Sequence, residues 1–251
     1  AGENKDRFDK EGDYFISTEE KTLLAQVCES YKDVVLVINT GGLMDLAFAD
    51  EFANIRAIVQ YVQAGQEGGN AFADVFTGEV TPSGKMSDTW AKTYNDYPGA
   101  EVFSYKSGNL MKEYYEEGIF VGYRYFDTVN VKPIFPFGYG KSYTTFDWKV
   151  VLINRDKSEI SLVVEIKNNG HYKGKEVLQV YASVPSEKFD QPYQILATFK
   201  KTKELQPGES EVVSMTFDMR NLASFDTETF SKILEAGDYI IRLGNSSSQT
   251  E

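Results

Sequence analysis

Cys28 and His171 are the only cysteine and the only histidine in the 251 residues. A structural zinc site needs more Cys and His ligands than these two supply. An intrachain disulfide has no second thiol. A His-assisted Ser or Cys nucleophile would rest on His171 alone. Chemistry therefore falls to the 38 Asp and Glu side chains. Glu116 and Glu117 form a like-charged pair, but neighbours on a strand point to opposite faces. Read as strand residues, they cannot act together at one bond. Glu67 lies in Gln63-Ala64-Gly65-Gln66-Glu67-Gly68-Gly69, which lacks both the Gly-x-Gly-x-x-Gly spacing and a Walker lysine. Its charge would repel a phosphate, so it reads as a residue that fixes its loop. His171 follows the turn signal Asn169-Gly170 and reads as exposed.

The elements that must position any such group fall into two kinds. Ser17-Thr18-Glu19-Glu20 is a capping box. Leu23, Leu24, Val27 and Cys28 then fall on one helix face, which makes Cys28 a core residue. Val34-Val35-Leu36-Val37-Ile38 is a continuous run of the kind found in parallel strands buried on both faces. Helical signals near residues 45–51 and 71–76 flank a second apolar run at 55–62. Strand and helix alternate, which predicts an α/β layer with a mostly parallel sheet and flanking helices. From Phe146 the pattern changes to short strands at 161–167, 177–184, 212–217 and 239–243. Asn168-Asn169-Gly170, Pro207-Gly208-Glu209 and Ala236-Gly237-Asp238 separate them. This predicts an all-β sandwich of about 100 residues. The domain boundary falls at 145/146, giving 1–145 and 146–251. The polar stretch from Asn245 reads as a frayed tail or a linker. Tyr114, Tyr115, Tyr123, Tyr125 and Phe126 read as packing for an interdomain seam.

Charge excludes some functions. With 26 Lys and Arg against 38 Asp and Glu, the formal charge is −12. Nucleic-acid and polybasic membrane-surface binding both call for a basic face. No apolar run reaches the roughly 20 residues of a spanning helix. The single cysteine and the lack of a leader pattern read as cytoplasmic.

Several ordered motifs carry a family resemblance. They are the loop at 63–69 with Phe76-Thr77-Gly78-Glu79-Val80-Thr81-Pro82-Ser83-Gly84-Lys85, then Tyr115-Glu116-Glu117-Gly118-Ile119-Phe120-Val121-Gly122-Tyr123-Arg124-Tyr125-Phe126, then Phe135-Pro136-Phe137-Gly138-Tyr139-Gly140. Together they resemble glycoside hydrolase family 3. The later Gly174-Lys175-Glu176-Val177-Leu178-Gln179-Val180-Tyr181 and Leu205-Gln206-Pro207-Gly208-Glu209-Ser210 resemble that family's fibronectin type III-like (immunoglobulin-like) domain. The resemblance implies a retaining, exo-acting β-glycosidase, most often a β-glucosidase. It needs no cofactor and no metal, and it acts on a β-glucoside or oligosaccharide. In the family, a barrel supplies the Asp nucleophile. An α/β sandwich domain supplies the general acid/base Glu from a Gly-Glu-Gly-x-Asp-Arg loop. Gly2-Glu3-Asn4-Lys5-Asp6-Arg7 matches four of those positions, which makes Glu3 the acid/base candidate. Asp6 and Arg7 become loop supports through charged hydrogen bonds. Asn4 replaces the second Gly, and Asn tolerates a left-handed backbone.

A barrel takes roughly 250 residues, and both halves of this chain are already assigned. The chain therefore reads as a piece truncated at the start of its α/β domain and inactive by itself. Its barrel lies in the same parent chain or in a second one, and a homo-oligomer is left open. The rival reading is a non-catalytic carbohydrate-binding or interaction module.

Overall fold

The computed structural model describes residues 8–109, 111–112 and 114–250, in two compact units. The first comprises the chain through Thr77 with 89–118 and 132–135. The second comprises 78–88, 119–131 and the chain from Pro136. Chain order and packing thus divide the molecule differently. A single cut at 145/146 separates the element types, whereas the stretches 78–88, 119–131 and 136–145 pack with the β-sandwich.

In the first unit, helix α1 (Thr18–Ser30) begins at the predicted capping box. The Glu20 amide donates to Ser17 Oγ at 3.1 Å, and the Ser17 amide donates to Glu20 Oε2 at 2.8 Å. Asn54 Nδ2 closes the other end by donating to the Cys28 and Tyr31 carbonyls at 2.8 and 2.6 Å. These satisfy carbonyls that a helix terminus leaves without intrahelical partners. Leu23 is 62% exposed, and Leu24, Val27 and Cys28 are half-buried. Cys28 is therefore not the core residue the helical pattern predicts, because α1 presses only partly on its neighbours.

Strand β1 (Val34–Ile38) pairs in parallel with β2 (Ile55–Gln60). A short 3₁₀ turn, Ala47–Glu51, lies in the crossover in place of the predicted helix. Only the ends of β1, Val34 and Ile38, are buried; Val35 and Val37 are each 39% exposed. The expectation of a mostly parallel sheet is corrected at this point. Among the described residues β1–β2 is the one parallel pair, and every other sheet is antiparallel. The β-branched run signals a strand, but burial on both faces needs layers that neither run can specify. Helix α2 (Gly68–Thr77) follows, a turn earlier than the apolar pattern alone suggests.

The second unit opens with helix α3 (Tyr123–Val129), then strand β3 (Phe146–Asp156), β4 (Glu159–Asn168), β5 (Val177–Ser183), β6 (Ile195–Lys201) and β7 (Ser210–Asp218). A hairpin, β8 (Ser224–Asp226) and β9 (Ser231–Ile233), precedes β10 (Ile240–Ser246) and β11 (Gln249–Thr250). Three strands in the order β3-β4-β7 face four in the order β11-β10-β5-β6. Period-two alternation buries Ile160, Leu162, Val164 and Ile166 of β4 against Leu178, Val180 and Ala182 of β5. Each such large aliphatic side chain contributes about 1.5–3 kcal/mol on burial.

The other face of β5 is also covered. Gln179 Nε2 donates to the Gly138 carbonyl at 3.1 Å and the Asn245 carbonyl at 2.8 Å. Tyr123 stacks on Phe137 at 4.7 Å and meets Tyr181 edge-on at 5.8 Å. A Cβ at Gly138, where φ is +78°, would collide with the Gln179 amide. Lys85 Nζ pairs with Glu176 Oε1 at 2.8 Å and donates to the Gly140 carbonyl at 3.2 Å. These contacts bind the connecting stretches to the sandwich. The terminal stretch is not a frayed tail. Ser246 and Ser247 are buried, and β11 pairs with β10, where a Cβ on Gly244 would strike the Gln249 carbonyl. Small residues make that close return feasible, so polarity alone misleads there.

Candidate functional site

Glu3, Asp6 and Arg7 lie outside the described residues. The backbone immediately after Arg7 is held on two sides. The Phe8 amide donates to Asp13 Oδ2 at 3.0 Å, and the Tyr14 amide returns to the Phe8 carbonyl at 3.2 Å. Asp9 pairs with Lys106 Nζ at 2.8 Å, and that ammonium also sits 4.2 Å from the centre of the Tyr94 ring. A cation held between a carboxylate and a ring face is well placed electrostatically.

Tyr14 anchors this turn. It is buried and meets Phe15, Tyr94 and Tyr97 edge-on, with centroids 5.0, 5.1 and 6.4 Å away. Burial, and the neighbouring Tyr97, push its phenol above the usual range. The Tyr14 carbonyl accepts from the Asp45 amide at 2.8 Å. Asp45 is itself buried, and desolvation holds its carboxyl above the usual range against the pull of the Ala47 and Phe48 amides. Its Oδ1 accepts from the Ala47 amide at 3.2 Å, so Asp45 serves the 3₁₀ turn. The sequence reading singled out neither Tyr14, Asp45 nor Lys106. Lys106 and Asp9 are 97 residues apart, and no spacing rule links them.

The other acidic candidates have plain surroundings. Glu67 accepts from Asn70 Nδ2 at 2.7 Å at the start of α2, in keeping with loop fixing. Glu116 and Glu117 occupy irregular chain rather than the strand expected, so the opposite-face argument does not apply to them. Gly118, with φ +57°, breaks any extended run there. His171 is exposed. Of the five aromatics expected to cluster, Phe126 is buried in the second unit, while Tyr114 and Tyr115 are exposed. Among the described residues no group of three His, Cys, Asp or Glu could hold a metal ion.

Comparison with known proteins supplies the wider context. The glycosyl hydrolase family 3 C-terminal domain matches residues 1–123, and the fibronectin type III-like domain matches 176–247. A beta-glucosidase of Ruminococcus albus is 37% identical over 98% of this chain, which covers 26% of that protein. The structure of beta-glucosidase 3B from Thermotoga neapolitana in complex with alpha-D-glucose superposes with a TM-score of 0.91 at 39% identity. It matches all of this chain and 35% of its own. A beta-glucosidase structure from Paenibacillus barengoltzii gives 0.92 at 38%, over all of this chain and 28% of that one. The chain spans about a quarter to a third of the length of the curated relatives it matches. With both of its domains accounted for in their expected order, the chain belongs to glycoside hydrolase family 3 through that family's C-terminal and fibronectin type III-like domains.

Proposed function

We propose that this chain is the acid/base-bearing portion of a retaining, exo-acting β-glucosidase that removes terminal β-linked glucose. The observation that carries the reading is similarity at 39% identity along the whole chain to a beta-glucosidase solved with glucose. The Gly2-Glu3 and Asp6-Arg7 match supports reading Glu3 as the proton donor and Asp6 and Arg7 as its loop supports. A barrel outside these residues, in the same polypeptide or a second one, supplies the Asp nucleophile.

Retaining hydrolysis places two carboxyl groups about 5–5.5 Å apart across the scissile bond. The nucleophile attacks the anomeric carbon while Glu3 protonates the departing oxygen. A covalent glycosyl-enzyme forms, and Glu3, now ionised, takes a proton from the water that releases glucose. Such an acid must hold its proton near neutral pH, so its pKa must be raised. A docked barrel raises it by removing water and bringing the nucleophile's charge near. The chain without a barrel then has no turnover.

The test is Glu3→Gln in the full-length enzyme. Loss of general acid–base assistance costs about 10²–10⁴-fold in turnover. Alkyl glucosides, whose leaving groups need protonation, lose glycosylation rate. A dinitrophenyl glucoside keeps fast glycosylation and accumulates the covalent intermediate. Full activity of the variant on both substrates would refute the assignment. Sugar affinity of the chain by itself, indifferent to Glu3→Ala, would favour a binding module.

A further inference from the structure

Helix α3 bonds to the start of β6, an edge strand of the four-stranded sheet. Three of its side chains make the contact. The Leu196 amide donates to the Tyr123 hydroxyl at 2.8 Å, and the Tyr193 amide donates to Thr128 Oγ1 at 2.8 Å. Between them Gln194 Nε2 donates to Asp127 Oδ2 at 2.9 Å and to the Ser247 carbonyl at 2.7 Å. An edge strand otherwise leaves such amides without a strand partner. Positions 123, 127 and 128 share one helix face, so the three bonds depend together on how that face is seated.

The centre of this contact can change charge. Gln194 is fully buried, and its Oε1 has no hydrogen-bond partner among the described residues. The cluster is thus already short of donors. An ionised Asp127 brings only acceptors to it, whereas a protonated carboxyl brings a donor. The titratable and charged groups around Asp127 are Tyr123 on α3, with Arg124 acting on Tyr123, and Tyr181 on β5. Gln194 and Ser247 present neutral groups to it. Burial raises the Asp127 carboxyl to about 6. Gly122 and Asn130 flank the helix with φ +55° and +56°, in the left-handed region that glycine and asparagine enter most readily. Phe126, on the same helix, is buried and holds α3 by apolar contact.

We infer that α3 is a proton-operated latch on the edge of the sandwich, closed over residues 193–196 while Asp127 holds a proton and loosened when the proton leaves. Water stabilises an ionised carboxylate, and water gains access to this one when the bonded face lifts. The Tyr193 and Leu196 amides then lose their acceptors, while Phe126 keeps the helix attached. A carboxyl that holds its proton more tightly when docked than when free favours docking at low pH, and that preference is lost as pH rises through about 6. The latch stands apart from the hydrolytic reading, because none of these residues belongs to the proposed catalytic apparatus.

Amide hydrogen exchange of the full-length protein tests it, measured at about pH 5 and about pH 8 and read as protection factors so that the intrinsic pH dependence cancels. The expected result is a loss of at least about tenfold in protection at Tyr193 and Leu196 at the higher pH, with Val164 and Ile166 of β4 unchanged. Asp127→Asn, which cannot ionise, keeps its low-pH protection at the higher pH. Tyr123→Phe removes the acceptor of the Leu196 amide and lowers protection there at both pH values. Protection at Tyr193 and Leu196 that stays constant across the range overturns the inference. So does an Asp127→Asn variant that keeps the parent's pH dependence, or a parallel loss along β4, which would show the whole sandwich opening rather than the latch.

Discussion

The inner strands of the two units are covered to different extents. In the sandwich, Val164, Ile166, Leu178 and Val180 are sealed from solvent by strands of the same unit. In the α/β unit, β1 is buried only at its ends and α1 leaves Leu23 in solvent. A parallel pair of strands is ordinarily covered on both faces, and two strands by themselves are marginal. The inner strands β4 and β5 are thus sealed, β1 is only half covered, and the edge strand β3 leaves Val150, Val151, Leu152 and Ile153 in solvent.

Substitutions can break or sharpen this contrast. The largest expected effect is at the ion pair that ties residue 85 to the sandwich. Both side chains are largely buried, and removing one partner of a buried pair costs about 3–5 kcal/mol. Lys85→Ala should lower the unfolding free energy of the sandwich by that much and so lower its urea midpoint. An unchanged midpoint would mean that the connecting stretches do not stabilise the sandwich. Leu162→Ala, in the sealed core, should cost about 2–5 kcal/mol. Leu23→Ala on α1 should stay within about 0.5 kcal/mol, as exposed positions do. Equal costs at the two sites would erase the contrast.

A half-buried carboxylate on α3 gives a smaller effect that depends on pH. Asp127 accepts from Gln194 Nε2 at 2.9 Å, and Tyr123 and Tyr181 lie nearby. Desolvation pushes its pKa up to about 6 from 3.8. The folded state therefore holds this proton more tightly than the unfolded chain. The resulting stability is fully present below pH 3.8 and is lost as pH rises through about 6. Asp127→Asn should accordingly gain about 1–3 kcal/mol over the parent at pH 8 and little at pH 3.5. A gain independent of pH would show that Asp127 does not titrate this way.

Glu235 behaves in the opposite sense. Its carboxylate accepts from the Glu187, Lys188 and Phe189 amides at 3.0, 3.0 and 2.9 Å, which holds its pKa low. Its contribution is present above the ordinary glutamate range and fades as pH falls through the lowered value. Glu235→Ala should speed hydrogen exchange at those three amides and leave exchange along β4 unchanged. Uniform acceleration across the sandwich would show that the loop and core open together.

Residue patterns foretold much of this architecture. The capping box at Ser17 and Glu20, the strand at 34–38 and the alternation in β4 follow from side-chain chemistry and the two backbone periods. Strands β3 and β6 and helix α3 went unnoticed. Their apolar periodicity is weak, since β3 is an edge strand exposed along most of its length. The hairpin at the C-terminal end was hidden by its Ser-rich composition. The acid/base candidate was legible only through a motif. No local rule could show the clamp of Lys106 on Asp9 and Tyr94.

By itself the sequence determined the family, the order of the two element types, the helix cap and the glutamate proposed to donate the proton. All of these depend on residue identity and on neighbours within a few positions. Tertiary structure alone decided that the connecting stretches belong with the sandwich, that β1 is only half covered and that Asp127 is half-buried against Gln194. Those outcomes depend on contacts between residues tens of positions apart, and burial, which sets both packing energy and pKa, arises only when such segments meet.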